Sequence, residues 1–254
     1  MAYTDRSPII MQGKVLIAER QFNGPETTGR EWIGNSDNFK LSFKQKRESV
    51  KDNYTGRGLT IVAPVVETDI EVSFNMMDLS VKNLARASWG SVAAGEVAAT
   101  GATYAATAYN DAYIQLPRTS VSNVTISGLV LNTDYVVENG GLGGLIHILP
   151  TSTAVPGPAG VAVTVTYDYA ANNGRVEGFT TSQKFYKLIL NGINVAQGNQ
   201  PHILTVHQFQ MDAWKMADFI DKKQMKLETG GEILIDTTIP DDGVLSQVFS
   251  LVKG

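Results

Sequence analysis

The 254-residue chain contains no cysteine. That excludes a disulfide framework and any thiolate metal site. It has no run of about 18 apolar residues, so no membrane-spanning helix is expected. The opening residues, Met-Ala-Tyr-Thr-Asp-Arg-Ser-Pro, lack the apolar segment of a secretory leader, and none is expected. Histidine is scarce, with three copies. His202 and His207 stand five apart, on opposite faces of a strand, and His147 sits in an apolar run. Converging metal ligands are therefore not expected. There is no Gly-x-Ser-x-Gly elbow, and Gly140–Gly144 lacks the Lys-Ser/Thr pair of a phosphate loop. Without a nucleophile, metal set or phosphate cradle, neither an enzyme nor a cofactor is expected.

Charge is also unevenly withheld. The net charge is −4, too mild for a nucleic-acid-binding patch or an acidic tail. Between Ala99 and Arg175 there is no lysine, and the charged residues are Asp111, Arg118, Asp134, Glu138, Asp168 and Arg175. Ala, Thr, Val and Gly dominate this stretch. The shift predicts an inserted β-rich module over 99–175 in a discontinuous domain of residues 1–98 and 176–254. Hydrophobic residues make up 43% and charged ones 18%, as in folded soluble proteins.

What is present is mainly strand-like. Gly13–Arg20, Phe39–Lys46 and Asp69–Asn75 show a period of two. In Asp69–Asn75, Ile70, Val72 and Phe74 take one face, and Asp69, Glu71 and Ser73 the other. Leu59–Val62 reads as a further apolar strand. The period then changes. Met77, Val81, Leu84, Ala85 and Ala87 form a helical stripe, with Asn75 or Asp78 as cap, Trp89 near the end and Gly90 as stop. This predicts one helix over about 76–89 packed on the sheet. Ser91–Ala112 has nine alanines in 22 residues and reads as a linker or flexible loop. In the insert, Tyr113–Leu116, Val121–Ser127, Tyr135–Glu138, Leu145–Leu149 and Val161–Tyr169 are strands at sandwich-like spacing. Lys184–Leu190 and His202–Met211 follow, the latter bulged near His207-Gln208. Asn191-Gly192 and Thr229-Gly230-Gly231 read as turns, and Gly243–Gly254 as a final strand or arm. The fold class is an antiparallel β-barrel or sandwich with one flanking helix and a small inserted β-sandwich.

Two features carry functional readings. Gln45–Gly58 is long, polar and poor in apolar residues: either a solvated hairpin tip or a docking arm. Glu67, Asp69 and Glu71 on one strand, and Glu228, Glu232 and Asp236 about another, form either a solvated sheet face or the lining of a hollow shared by several chains.

The order of these elements resembles the major tail tube proteins of tailed bacteriophages. The resemblance rests on Gly13-Lys-Val-Leu-Ile-Ala, on Trp32 to Asn53 with its charged loop, on Leu59 to Gly90, and on Phe185 to Asp236 with its Gly-Glu-Ile-Leu-Ile-Asp. Leu131-Asn-Thr-Asp-Tyr-Val-Val-Glu, the glycine turn, Leu-Ile-His-Ile-Leu-Pro and Val-Thr-Tyr-Asp-Tyr are similar to an element of long-tailed-phage tail proteins. It implies a virion structural protein, made in the host cytoplasm, that self-assembles into homohexameric rings. Stacked rings form a hollow tube that conducts double-stranded DNA during ejection without binding it specifically. The implied partners are further copies of the chain, a tape measure protein, a tail terminator and baseplate or tail-tip proteins. Asp69, Glu71, Glu228 and Glu232 become lumen candidates, because like charge keeps DNA sliding. Lys46, Arg47, Lys51, Asp52, Tyr54 and Arg57 become inter-ring loop candidates. By the same logic Lys44, Lys46, Arg47 and Lys51 should face protein partners and not the channel. The insert is expected on the tube exterior. The alternative is a carbohydrate-binding or adhesin-like β-protein of the phage tail, with Tyr113, Tyr167 and Tyr169 as stacking rings.

Overall fold

The structure is a computed structural model that describes residues 10–54, 57–217 and 224–254. Along the chain, β1 (Met11–Arg20), β2 (Glu31–Trp32), β3 (Ser36–Arg47), β4 (Val50–Lys51), β5 (Thr60–Val62) and β6 (Val65–Met76) precede helix α1 (Val81–Ala87). Then come β7 (Ser91–Ala93), β8 (Ala99–Ala108), β9 (Tyr113–Gln115), β10 (Val121–Ile126), β11 (Tyr135–Val137), β12 (Leu145–Ile148), β13 (Val161–Tyr169) and β14 (Arg175–Glu177). The last are β15 (Phe185–Asn194), β16 (Gln200–Met211), β17 (Met216–Ala217), β18 (Leu227–Ile233) and β19 (Phe249–Lys253). The fold is mainly β, with antiparallel sheets and one α-helix among the described residues. The chain forms two compact units, Met1–Val92 with Val176–Gly254, and Ala93–Arg175.

In the first unit one sheet runs β2-β1-β15-β16-β18-β6-β3, with β19 added to β16 and β17 to β18. Its two outermost strands are consecutive in the chain. Only Ile33, Gly34 and Asn35 lie between β2 and β3. The sheet is thus rolled, and its ends are joined covalently. Ile33 N–H donates to Val15 O (3.1 Å) at one edge, and Met77 N–H to Asn35 O (2.9 Å) at the other. One core fills the roll: Val15 and Ile17 of β1, Val72, Phe74 and Met76 of β6, Leu188 of β15, Val206 and Phe209 of β16, and Leu227 of β18. Each contributes on the order of 2 kcal/mol through burial. The alternation in β6 drives this directly, since Val72 and Phe74 are buried while Asp69 and Glu71 face out. The β16 bulge falls at His207-Gln208: Tyr186 pairs with Phe209 but Leu188 with Val206.

The closure leaves little room at Gly34. Its φ is +83°, and a Cβ there would stand 2.3 Å from the Asp78 Cβ. A second tie is the buried ion pair Arg20–Asp236, 2.5 Å apart. The guanidinium also donates to the carbonyls of His207 and Gly24, and Thr238 donates to Asp236 Oδ1. Burial pushes the Asp236 carboxyl up, but the Arg20 and Thr238 hydrogen bonds outweigh it and hold it below its ordinary range.

Five sequence expectations are corrected. The helix is Val81–Ala87, not 76–89, because Met76 is still paired in the sheet with Leu227 and Ser36. Its N-cap is Ser80, whose hydroxyl accepts from Asn83 N–H (3.3 Å), and not Asn75 or Asp78. At the other end Gly90 N–H donates to Ala85 O (2.8 Å), but the left-handed residue is Trp89, φ +47°. Gly90 is kept for another reason, since a Cβ there would meet Glu177 O at 2.4 Å. The alanine-rich linker of 91–112 is instead largely β8, paired along β13. Asn191-Gly192 and Thr229-Gly230-Gly231 are not turns. They lie inside β15 and β18, where the glycines permit close backbone approach: a Cβ at Gly192 would stand 2.6 Å from Gln12 O, and one at Gly230 2.6 Å from Val72 O.

The second unit is a sandwich of two three-stranded sheets, β10-β13-β8 and β11-β12-β9, around one core. Ile114, Ile146, Ile148 and Tyr135 from one sheet meet Val121, Val124, Val163 and Val165 from the other. Tyr135 O–H crosses the core to donate to Val124 O (3.0 Å). β7 and β14, which bracket the unit in sequence, pair with each other.

Gly34→Ala is expected to cost about 2 kcal/mol or more, combining left-handed strain with the Asp78 clash. Gly243→Ala, with φ +73° and open space around it, should cost only about 1–2 kcal/mol, from strain alone. Urea midpoints at unchanged m-value measure both. For Asp236, a folded pKa below the ordinary 3.8 means its stabilisation is complete above that value and is lost as pH falls through the folded pKa. Asp236→Asn should therefore cost about 3–5 kcal/mol at neutral pH and flatten the acid limb of the stability–pH curve below about pH 4.

Candidate functional site

The outward face of β3, β6 and β18 gathers the chain's charge. Register sets the neighbours: Ser42 lies opposite Glu71, Lys44 opposite Asp69, and Lys46 opposite Glu67, while Glu71 on its other side meets Glu232. Antiparallel partners share a face, so these side chains form one outward array. Asp69, Glu71, Glu228 and Glu232, the four lumen candidates, line a single polar concavity of about 450 Å³. Asp212 and Lys215 complete it. Those two had no periodic signal in the sequence. They are placed by backbone bonds to β18, Asp212 N–H to Gly230 O (2.9 Å) and Lys215 N–H to Glu228 O (3.0 Å). The balance in the concavity is five carboxylates against Lys44 and Lys215.

Lys44 and Lys46 correct the expectation that basic residues would turn away from this face. Lys44 Nζ is 2.5 Å from Glu71 Oε1, and Lys46 Nζ is 3.2 Å from Glu67 Oε2. Strand parity decides this: residues 40, 42, 44 and 46 must share a side, whatever their charge. The Glu71 hydrogen bond, with its charge and that of Asp69, raises the Lys44 ammonium above its ordinary pKa. At the near end of the face, hydrogen bonds from Lys226 and Asn75 hold the Asp37 carboxyl below its usual range.

The second element is an arm. β18 accompanies β6 only from Met76 to Glu71. Beyond that point β3 and β6 continue as a two-stranded ribbon. Arg47 pairs with Val65, Glu48 N–H donates to Pro64 O (3.1 Å), and β4 pairs with β5. Asp52 turns the tip, accepting from Tyr54 N–H (2.8 Å) on its carboxylate and donating its own N–H to Leu59 O (2.7 Å). Residues 55–56 lie outside the described residues. The inter-ring candidates all sit here: Lys46 and Arg47 at the end of β3, Lys51 in β4, Asp52 and Tyr54 at the tip, and Arg57 after it. From Ser42 to Tyr54 the ribbon is roughly 40 Å long at about 3.3 Å per residue.

The apolar strand expected over Leu59–Val62 is present as β5, in the ribbon and outside the rolled sheet. It is exposed along its length. Ile61 is 68% exposed, and Leu59, Val62, Val65 and Val66 are all exposed, as is Val50 opposite. Tyr54 at the tip is 98% exposed. An apolar ribbon of this size in water is an interaction surface or an aggregation hazard.

The second unit presents fewer rings than its sequence suggested. Tyr167 is buried, and Tyr169 lies under the Arg118 guanidinium (5.4 Å). Tyr113 is exposed and stacks on His147 at 4.5 Å, with His147 Nε2 3.1 Å from Asp111 Oδ1. His202 is buried inside the first unit, while His207, whose pKa burial lowers, is half-buried.

A family model described as protein of unknown function UCP028589 matches residues 8–252, and the chain belongs to that family. No curated protein matches the chain.

Glu71→Gln should return Lys44 toward the ordinary ammonium pKa in an NMR titration. The urea midpoint should stay within experimental error, since exposed ion pairs contribute little to stability.

Proposed function

We propose that this protein is the subunit of a self-assembling hollow tube, the tail tube of a tailed bacteriophage. The observation that carries the reading is the β3–β6 ribbon, which leaves its own sheet and exposes apolar side chains along its outer half. A monomer gains nothing from this exposure. A neighbouring copy that covers it gains the burial free energy of several aliphatic side chains, at about 25 cal/mol per Å². Because the arm meets a different surface on its neighbour, the contact is heterologous, and repetition of such a contact yields rings or open filaments.

The charged face suits the inside of such a tube. Five carboxylates against two ammonium groups leave it net negative but locally paired. DNA passing at about a Debye length, roughly 8–10 Å, meets repulsion and few free cations to neutralise its phosphates. In this reading the protein resides in the virion, its partners are copies of itself in rings of six and the proteins that measure and end the tube, and double-stranded DNA is cargo in transit. The carbohydrate-binding alternative keeps one observation in its favour, the exposed Tyr113 ring beside His147 and Asp111.

Purified protein should form rings or tubes in negative stain. Deletion of residues 47–57 should leave a folded chain, by circular dichroism, that no longer stacks. Tubes from the deleted chain would remove the arm from assembly. A chain that stays monomeric at high concentration yet binds a glycan array would favour the alternative. In phage carrying Asp69→Lys with Glu71→Lys, DNA ejection should slow, with the loss largest at low salt.

A further inference from the structure

The rolled sheet is closed by the Ile33–Asn35 connection and not by a strand ladder between β1 and β3, and this leaves a gap. β2 covers β1 only opposite Leu16 and Ile17, and β3 pairs with β6 alone. So Met11–Lys14 of β1 and Ser36–Leu41 of β3 each keep one unpaired backbone edge among the described residues. Between them runs a groove of about 690 Å³. Its floor is apolar: Val15, Phe39 and Leu41 from the walls, and Leu190 and Leu204 from β15 and β16, the two strands that follow β1 in the sheet. Gln12, Ser36, Asp37 and Asn38 form its rim.

We propose that this groove receives the returning strand of the arm, Leu59–Val66, from a second copy of the chain. This inference rests on the assembly reading above and names the surface the arm would meet. Two strand edges flanking an apolar floor call for an extended, apolar segment that supplies main-chain hydrogen bonds and side chains together. Leu59–Val66 is such a segment. It is extended and exposed, and among the described residues β5 pairs only with β4, which leaves its outer edge open. Eight residues span roughly 26 Å at about 3.3 Å each, longer than the unpaired edges of four and six residues on the two groove walls.

The occupant must come from another molecule. β3 walls the groove with its first half and carries the arm on its second. The arm of the same chain therefore points away from its own groove, along a stiff ribbon roughly 30 Å from Leu41 to Val50 at about 3.3 Å per residue. Arm and groove are opposite ends of one strand pair. A contact between them is head-to-tail and repeats along the strand direction.

The absence of native cysteine makes the test clean. Ile61→Cys protein is mixed with Ser36→Cys or Gln12→Cys protein under assembly conditions and oxidised, with Ser122→Cys on the second unit as control partner. A disulfide forms only if the two Cβ atoms come within about 4.5 Å. The groove partners should give several-fold more non-reducing dimer than the control. Tubes in negative stain without excess dimer would overturn the groove assignment and leave the tube reading standing. Neither tubes nor dimer would overturn both.

Discussion

The first unit depends on one mismatch of length. β3 and β6 are each twelve residues long, while the neighbour that β6 finds in β18 is paired to it over only Leu227–Glu232. Over that span the two-residue period sorts side chains into a dry face and a wet one, and a core forms. Past Glu71 the same ladder has no third strand among the described residues; Ile70 still packs on the core and Phe43 on Phe249, and from Asp69 to Val65 β6 is exposed on both faces. An isolated ribbon is marginal in water. Its cross-strand pairs hold it in shape, but its apolar side chains stay exposed among the described residues. The barrel wall and the projecting arm are one element under two conditions.

Much of the fold was legible where one face of a strand is buried and the other wet. Val161–Tyr169 was read to the residue, and the Ile70, Val72, Phe74 face of β6 was correct, as was the bulge at His207-Gln208. Errors gathered where glycine or alanine replaces the informative side chain. β8 alternates Ala, Thr and Gly, whose small side chains carry little hydrophobic contrast. Gly192 and Gly230 look like punctuation, but their job is to let neighbouring backbones approach. The helix began late because Met76 and Met77 satisfy both periods, and pairing with Leu227 decided for the strand. In the candidate site, the acidic positions could be read from alternation within β6. The neighbouring lysines could not, because their side is set by the β3–β6 register, a non-local property. Asp212 and Lys215 left no local signal at all.

Two kinds of charge pairing divide the labour. Arg20–Asp236 is buried, multiply hydrogen-bonded and tied into three segments, so loss of one partner leaves a stranded charge. The pairs on the outer face are exposed and weak, and they set field and not stability. Substitutions there are tolerated by the fold, which leaves the face open to adjustment by whatever passes along it.

The pairing of β1 with β15 has a consequence for how the chain is made. Met11 lies opposite Asn194 and Arg20 opposite Phe185, so the first strand waits for its partner while the 164 residues between β1 and β15, the second unit among them, are synthesised. At about 5–20 residues per second that delay is roughly 8–33 s. The second unit, whose strands pair only among themselves, can complete its core during the wait. The first cannot, and β1 and the apolar ribbon stay open to other nascent chains throughout. On a crowded ribosome cluster, the order of synthesis rather than final stability governs how many copies reach the native roll.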